Sequence, residues 1–251
     1  MASHPVSDTA RLDLSQRIDP ALLPELMDAP CAYETFRDCV RDIAASTRVT
    51  LAYRPTFAFL KEAIAHRGSR SPLHVLDVGS GGGDTLRRIA LWARRRRLSV
   101  QLTGIDLNPH ASRAATEFSS RDPNYSRIQW LTGDVFTHPV TQSPDLVISS
   151  LVTHHMRDEE IVRFLRWMDE HAQLGWFISD LVRSPRSYRI FGPLSRVLRW
   201  HPFVQHDGLV SIRRAFREPD WERLLATAGI PISSVRMERC AIGRLCLTRL
   251  R

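Results

Sequence analysis

Between Pro20 and His66 apolar residues recur at helical spacing, with Phe36, Val40, Ile43 and Ala44 at i, i+4, i+7 and i+8. Pro55 interrupts the pattern, and Phe57, Leu60 and Ile64 resume it. Residues 21–71 therefore read as a helical N-terminal cap, ending in the breaker-rich Gly68 to Pro72. Beyond Pro72 the rhythm changes. Short apolar runs predict strands over 74–79, 100–106, 128–133, 144–151 and 175–182, and amphipathic stretches predict helices over 84–97, 110–120 and 158–172. Strands alternating with helices of this length imply βαβ units, a largely parallel sheet and helices on both faces. The chain then reads as helix 218–228 followed by strands 232–239 and 244–250, an antiparallel pair at a sheet edge. Residues 1–20 read as a polar, flexible tail, 72–182 as the α/β core, 183–217 as a helical lid inserted into it, and 218–251 as the end of the core sheet.

Composition changes this picture little. With 251 residues, 43% hydrophobic and 25% charged, the chain can bury a sizeable core and is neither disordered nor fibrous. It has no apolar run near the roughly 20 residues of a membrane span, and its first thirty residues mix Asp, Arg and Pro without an apolar core, so no secretory signal is expected. Cys31, Cys39, Cys240 and Cys246 lack metal-ligand spacing, so reduced thiols in a cytoplasmic protein and no bound metal are expected. The net charge of +8 is almost wholly arginine, Lys61 being the only lysine. The densest run, Arg94 to Arg97, falls where a helix should end, and cations there complement the helix dipole.

The candidate chemistry begins at His74-Val75-Leu76-Asp77-Val78-Gly79-Ser80-Gly81-Gly82-Gly83-Asp84, where an apolar strand runs through glycines into a helix. Such a turn lets a ligand approach the backbone closely. A dinucleotide fingerprint would want Gly or Ala where Asp84 stands, and Asp77 and Asp84 put negative charge where pyrophosphate would lie. A ligand bearing a cation and no phosphate fits better, and S-adenosylmethionine (SAM), with its sulfonium and ammonium groups, is such a ligand. Gly104-Ile105-Asp106-Leu107 ends the next strand in an acid 23 positions beyond Gly83, close to the roughly 20-residue offset of a ribose-binding carboxylate. After the third strand, Gly133-Asp134-Val135-Phe136 offers a carboxylate to an adenine amino group and a backbone N–H to a ring nitrogen.

The ordered set VLDVGSGGGD, GIDL, GDVF and PDLVISSLVTHHM over residues 72–251 resembles the class I SAM-dependent methyltransferases. The resemblance implies a Rossmann-like, doubly wound sheet of seven strands with an antiparallel last strand. SAM would lie across the carboxyl ends of the first strands. Asp77, Gly79, Ser80, Gly81 and Gly83 would face its methionine part, Asp106 and Leu107 the ribose, Asp134 and Val135 the adenine, and Ser149 and Ser150 the sulfonium end.

The acceptor is less legible. Family members that methylate base nitrogens resemble one another in an Asn/Asp-Pro-Pro-aromatic motif after the fourth strand, where this chain reads Ser149-Ser150-Leu151-Val152. That disfavours nucleic acid. Glu159-Glu160 are adjacent first-turn acids, unlike the paired glutamates of protein-arginine methyltransferases. A small aromatic acceptor methylated on oxygen is the reading adopted, with C- or N-methylation and an RNA acceptor as alternatives. His155 and His154 are the base candidates, because a phenol near pKa 10 needs an acceptor for its proton; both could equally pack or cap a helix. His206 beside Asp207 is a further candidate, read first as a turn-stabilising pair. Tyr188 to His201 reads as a basic amphipathic helix with Ile190, Leu194, Val197 and Leu198 on one face. That face is expected to close over the cleft, with contact to a membrane surface as the alternative. A monomer or homodimer is expected.

Overall fold

The computed structural model describes residues 13–67, 72–120, 122–138, 142–240 and 243–251. Two helices come first, α1 (Tyr33–Val49) and α2 (Arg54–Arg67). Pro55 falls in the first turn of α2, where a missing N–H costs little, which is why the pattern breaks and resumes there. Then follow β1 (Leu73–Val78), α3 (Asp84–Arg95), β2 (Val100–Asp106), α4 (Ala111–Ser119), β3 (Ile128–Thr132), β4 (Leu146–Ser150), α5 (Asp158–His171) and β5 (Gly175–Leu181). The insertion holds α6 (Pro185–Val197) and α7 (Pro202–Arg214), and the chain ends with α8 (Glu218–Ala228), β6 (Arg236–Cys240) and β7 (Arg244–Leu250).

The seven strands form one sheet in the order β3-β2-β1-β4-β5-β7-β6. All neighbours are parallel except β7, which runs antiparallel to β5 and to the edge strand β6. Strand β6 begins later than the apolar pattern suggests, because Ile232–Ser234 form a 3-10 turn after Pro231. Each face is covered. Phe59 and Leu60 of α2 and Leu86 and Ile89 of α3 pack on one side; Phe164 and Leu165 of α5 and Trp221 and Leu225 of α8 pack on the other. Leu86, Ile89 and Ala93 show how sequence makes α3: a buried stripe, an acid in its first turn and arginines in its last.

Two expectations change. Residues 1–12 lie outside the described residues, but from Leu14 the N-terminal stretch is pinned to the body: Leu14 is buried, and Arg17 donates to Met156 O (2.5 Å), Asp158 Oδ1 (2.7 Å) and Arg214 O (2.8 Å). His206 and Asp207 belong to helix α7 and form no turn; the Asp207 carboxylate instead accepts the backbone N–H groups of Leu26 (2.8 Å) and Met27 (3.0 Å). The insertion thus clamps the N-terminal segment over the ends of the strands.

Candidate active site

A cleft of about 1780 Å³ opens along the carboxyl ends of β1, β2 and β4. A single drug-sized ligand fills roughly 300–1,000 Å³, so this space accommodates a cofactor together with an acceptor. Its floor on the β1 side is the glycine turn. Gly79, Gly81 and Gly83 have φ of 74°, 50° and 75°, the left-handed region that side chains resist. A Cβ on Gly79 would stand 2.1 Å from Val152 Cγ2, and one on Gly83 2.3 Å from the Trp130 ring. The turn is therefore pressed between β3 and the segment after β4, with its open side toward the cleft.

Asp77, Asp106 and Asp134 all line this space, and none forms an ion pair among the described residues. Asp77 is buried, and no described residue donates a hydrogen bond to its carboxylate. Burial first, then the neighbouring Asp106, pushes its pKa up to about 8. Asp106 Oδ2 accepts the Gly81 N–H at 2.7 Å and Oδ1 the Asn108 N–H at 2.8 Å. Burial raises this carboxyl as well, although the two N–H groups oppose the rise. Asp134 Oδ1 accepts the Phe136 N–H at 2.9 Å. A buried, unpartnered carboxyl beside a second one is a site for a cation, and the aspartate edge plus glycine cradle fit the ammonium, sulfonium and ribose of SAM.

Ser80, Gly81, Leu107, Val135 and Ser150 line the cleft with them. Two expected residues stand behind its wall. Ser149 is buried, and its Oγ donates to Val78 O at 3.0 Å, bracing β4 to β1. Gly83 caps α3 against Trp130. Leu151, just past β4, holds φ at 60° while its N–H reaches Ser179 O at 3.1 Å. That strained position for a branched side chain turns the following residues over the cleft.

Those residues are Thr153–His155, a 3-10 turn that presents both histidines. Their rings are in contact, with centroids 4.2 Å apart and planes tilted by 36°. His154 is 2% exposed; its Nδ1 lies 2.7 Å from Asp180 Oδ1, while its backbone N–H (3.1 Å) and the Thr153 hydroxyl (2.5 Å) donate to Asp180 Oδ2. The His155 side chain is 36% exposed, with Nδ1 2.9 Å from Asp28 Oδ1 and Nε2 3.9 Å from Glu25 Oε2. Burial lowers the His155 pKa, but the Asp28 hydrogen bond and the charges of Glu25 and Asp28 outweigh it, so the net shift is upward. Asp28 and Asp180 are both held well below the usual carboxylate range despite burial, chiefly by hydrogen bonds and charge from His155 and His154. Arg214, fully buried, ties the group together: Nη1 is 3.0 Å from Glu25 Oε1 and Nη2 donates to Asp28 Oδ2 at 2.6 Å.

Glu25, His154 and His155 also bring one ligand atom each within 4.8 Å of one another, a donor set that no spacing in the sequence announces. Asp180 and Asp28 hold the two Nδ1 atoms as outer carboxylates would in a metal site. Arg214, however, already occupies the Glu25 carboxylate. His206 lies outside the cleft, exposed and 2.8 Å from Asp207, so it is withdrawn as a base candidate. The apolar face of α6 is also only partly turned inward: Leu194 and Phe191 line the cleft, whereas Val197 and Leu198 are exposed. All four cysteines are free thiols. Arg94–Arg97 end α3, which starts at the carboxyl edge of β1 and runs back, so they sit at the sheet's opposite edge and none lines the cleft.

Residues 75–175 match the family model described as a methyltransferase domain. The tRNA1(Val) (adenine(37)-N6)-methyltransferase of Glaesserella parasuis is 35% identical over 77 residues, 31% of this chain and 31% of that protein. The enzyme of the same description from Vibrio vulnificus is 36% identical over 69 residues, 26% and 27% of the two chains. The chain thus matches about a third or less of the length of these curated relatives. The solved plantazolicin methyltransferase BpumL with bound SAH shares the fold with a TM-score of 0.59 at 15% identity, over 87% of this chain and 89% of that one. A SAM-dependent methyltransferase from Aquifex aeolicus does so with a TM-score of 0.58 at 16% identity, over 88% and 99%.

Proposed function

We propose that this chain is a class I SAM-dependent methyltransferase whose acceptor is a small aromatic molecule methylated on a phenolic oxygen. One observation carries this reading: His155 faces the cleft with Nδ1 held by Asp28 and Nε2 beyond hydrogen-bond distance of any carboxylate. When bound, SAM supplies a methyl group made electrophilic by its positively charged sulfur. Asp77 and the glycine turn hold its methionine part, Asp106 the ribose, and Asp134 with Val135 the adenine.

A phenol is mostly protonated at neutral pH and a weak nucleophile. His155 Nε2 would accept the hydroxyl proton as the oxygen takes the methyl and the electron pair of the broken sulfur–methyl bond stays on sulfur, leaving a neutral thioether, while Asp28 keeps the ring oriented and stabilises the imidazolium. The upward shift of the His155 pKa, set by Asp28 and Glu25, makes it a stronger proton acceptor than a free imidazole. His154, locked by Asp180 and packed against the His155 ring, positions it. Phe36, Val40, Ile43, Phe191 and Leu194 give the acceptor space apolar walls that suit an aromatic ring and keep water out. An RNA acceptor finds support in the short tRNA-methyltransferase match, but the arginine run lies at the wrong edge and Ser149–Val152 offers no base-stacking motif.

The test is incubation with SAM and a panel of phenols, quinols, amines and tRNA, read by mass spectrometry. Phenols or quinols should gain one methyl on oxygen. Methylation confined to amines, carbon or tRNA would overturn the assignment.

A further inference from the structure

Helix α6 turns apolar side chains to solvent. Gly192 and Ser195 are buried, and the Phe191 ring packs 5.8 Å from that of Trp200. On the other side Ile190 is 49% exposed and Val197 77%, with exposed Pro193 between them and Leu198, just past the helix, at 40%. Spaced i, i+3 and i+7, Ile190, Pro193 and Val197 form one ridge. Between Ser184 and His206 stand four arginines, at 186, 189, 196 and 199, and no acid. All four are exposed, and none forms an ion pair among the described residues.

The ridge borders the cleft. Ile190 lines it and is exposed, as is Val49 (54%) at the end of α1, beside exposed Arg48. The mouth is therefore rimmed by apolar groups and flanked by unpaired cations. A face meant only to seal the cleft would turn these residues inward. A second copy of the chain is a poor occupant, because a two-fold contact would set arginine against arginine.

We propose that this face docks on the surface of an anionic lipid bilayer and sets the cleft mouth against it. Ile190, Val197 and Leu198 enter the headgroup boundary, and Arg186, Arg189, Arg196 and Arg199 meet anionic headgroups. The contact is peripheral, since no described helix is long and apolar enough to cross a membrane. It goes beyond the assignment of a phenolic acceptor and does not depend on it, although it would deliver apolar acceptors directly from the bilayer.

Co-sedimentation with phosphatidylcholine vesicles, with and without phosphatidylglycerol, tests this without any turnover. The wild type should bind the anionic vesicles, more weakly as salt rises, and leave the neutral ones largely free. Val197→Asp should weaken partition about tenfold, and Arg196→Gln with Arg199→Gln about fivefold per charge removed. None of these three residues lines the cleft, so the variants should bind SAM as the wild type does. Absence of vesicle binding, undiminished binding by Val197→Asp, or loss seen only on replacing Arg94 to Arg97 would overturn the proposal. So would lipid-free self-association that Val197→Asp abolishes, which would assign the ridge to a second copy.

Discussion

Asp77, Asp106 and Asp134 each stand at or next to the carboxyl end of their own strand, whereas the groups around His155 come from four separate stretches of chain: Glu25 and Asp28, Thr153–His155, Asp180, and Arg214. The cofactor side of the cleft is thus local. Each acid lies within two residues of the end of its own strand, and the parallel sheet brings the three strand ends side by side. The acceptor side is assembled by tertiary contact alone, with partners as much as 189 residues apart, Glu25 and Arg214. A local site keeps its geometry whatever else moves. An assembled one depends on a buried arginine, and can change partner or substrate without disturbing the cofactor.

The largest effect expected from separating the two sides is at His155. His155→Ala should lower kcat by about 10²- to 10⁴-fold, the usual worth of a positioned base, while calorimetry shows an unchanged Kd for SAM. In the wild type, activity should rise with pH through a value above 6.5, because the reactive form of His155 is neutral and its pKa is raised. Asp28→Asn should move that rise to lower pH. Next comes Asp106→Ala, which removes the proposed ribose acceptor and strands two N–H groups; SAM affinity should fall about 100-fold, roughly the worth of charge-assisted hydrogen bonds. Loss of activity without loss of affinity in that variant would blur the division. Smallest is His206→Ala, an exposed side chain outside the cleft, expected to leave turnover within about twofold, as surface substitutions do.

The strand ends and glycine turn that line the cleft are almost wholly legible in the sequence, and physics explains why. Strand ends and glycine turns are short-range features, so Asp77, Asp106 and Asp134 could be picked out one by one. Ser149 and Gly83 were placed one layer off, because a strand alternates its faces and a helix cap looks the same from sequence whichever way it points. The histidines were visible as a pair, but not which of them is buried. Glu25, Asp28 and Arg214 gave no signal: each is an ordinary charged residue until the insertion folds back on the N-terminal segment. Asp180 offered a faint one, an acid ending an apolar strand at the edge where ligands bind. In α6 the helical spacing was legible, but not that its ridge faces outward, since amphipathicity is the same for a helix that covers a cleft and one that meets a membrane.

All of this turns on whether the buried carboxyl at the end of β1 is the seat of a cationic ligand. A pKa of about 8 means that Asp77 is mainly protonated in the free protein below that pH, so binding a cation must expel its proton. Calorimetric titration with SAM should therefore show binding about tenfold or more weaker at pH 6 than at pH 8, with proton release at the lower pH, and Asp77→Asn should bind weakly and without that slope. A wild-type Kd that does not change between these pH values, or an Asp77→Asn variant that keeps the full slope, would contradict it.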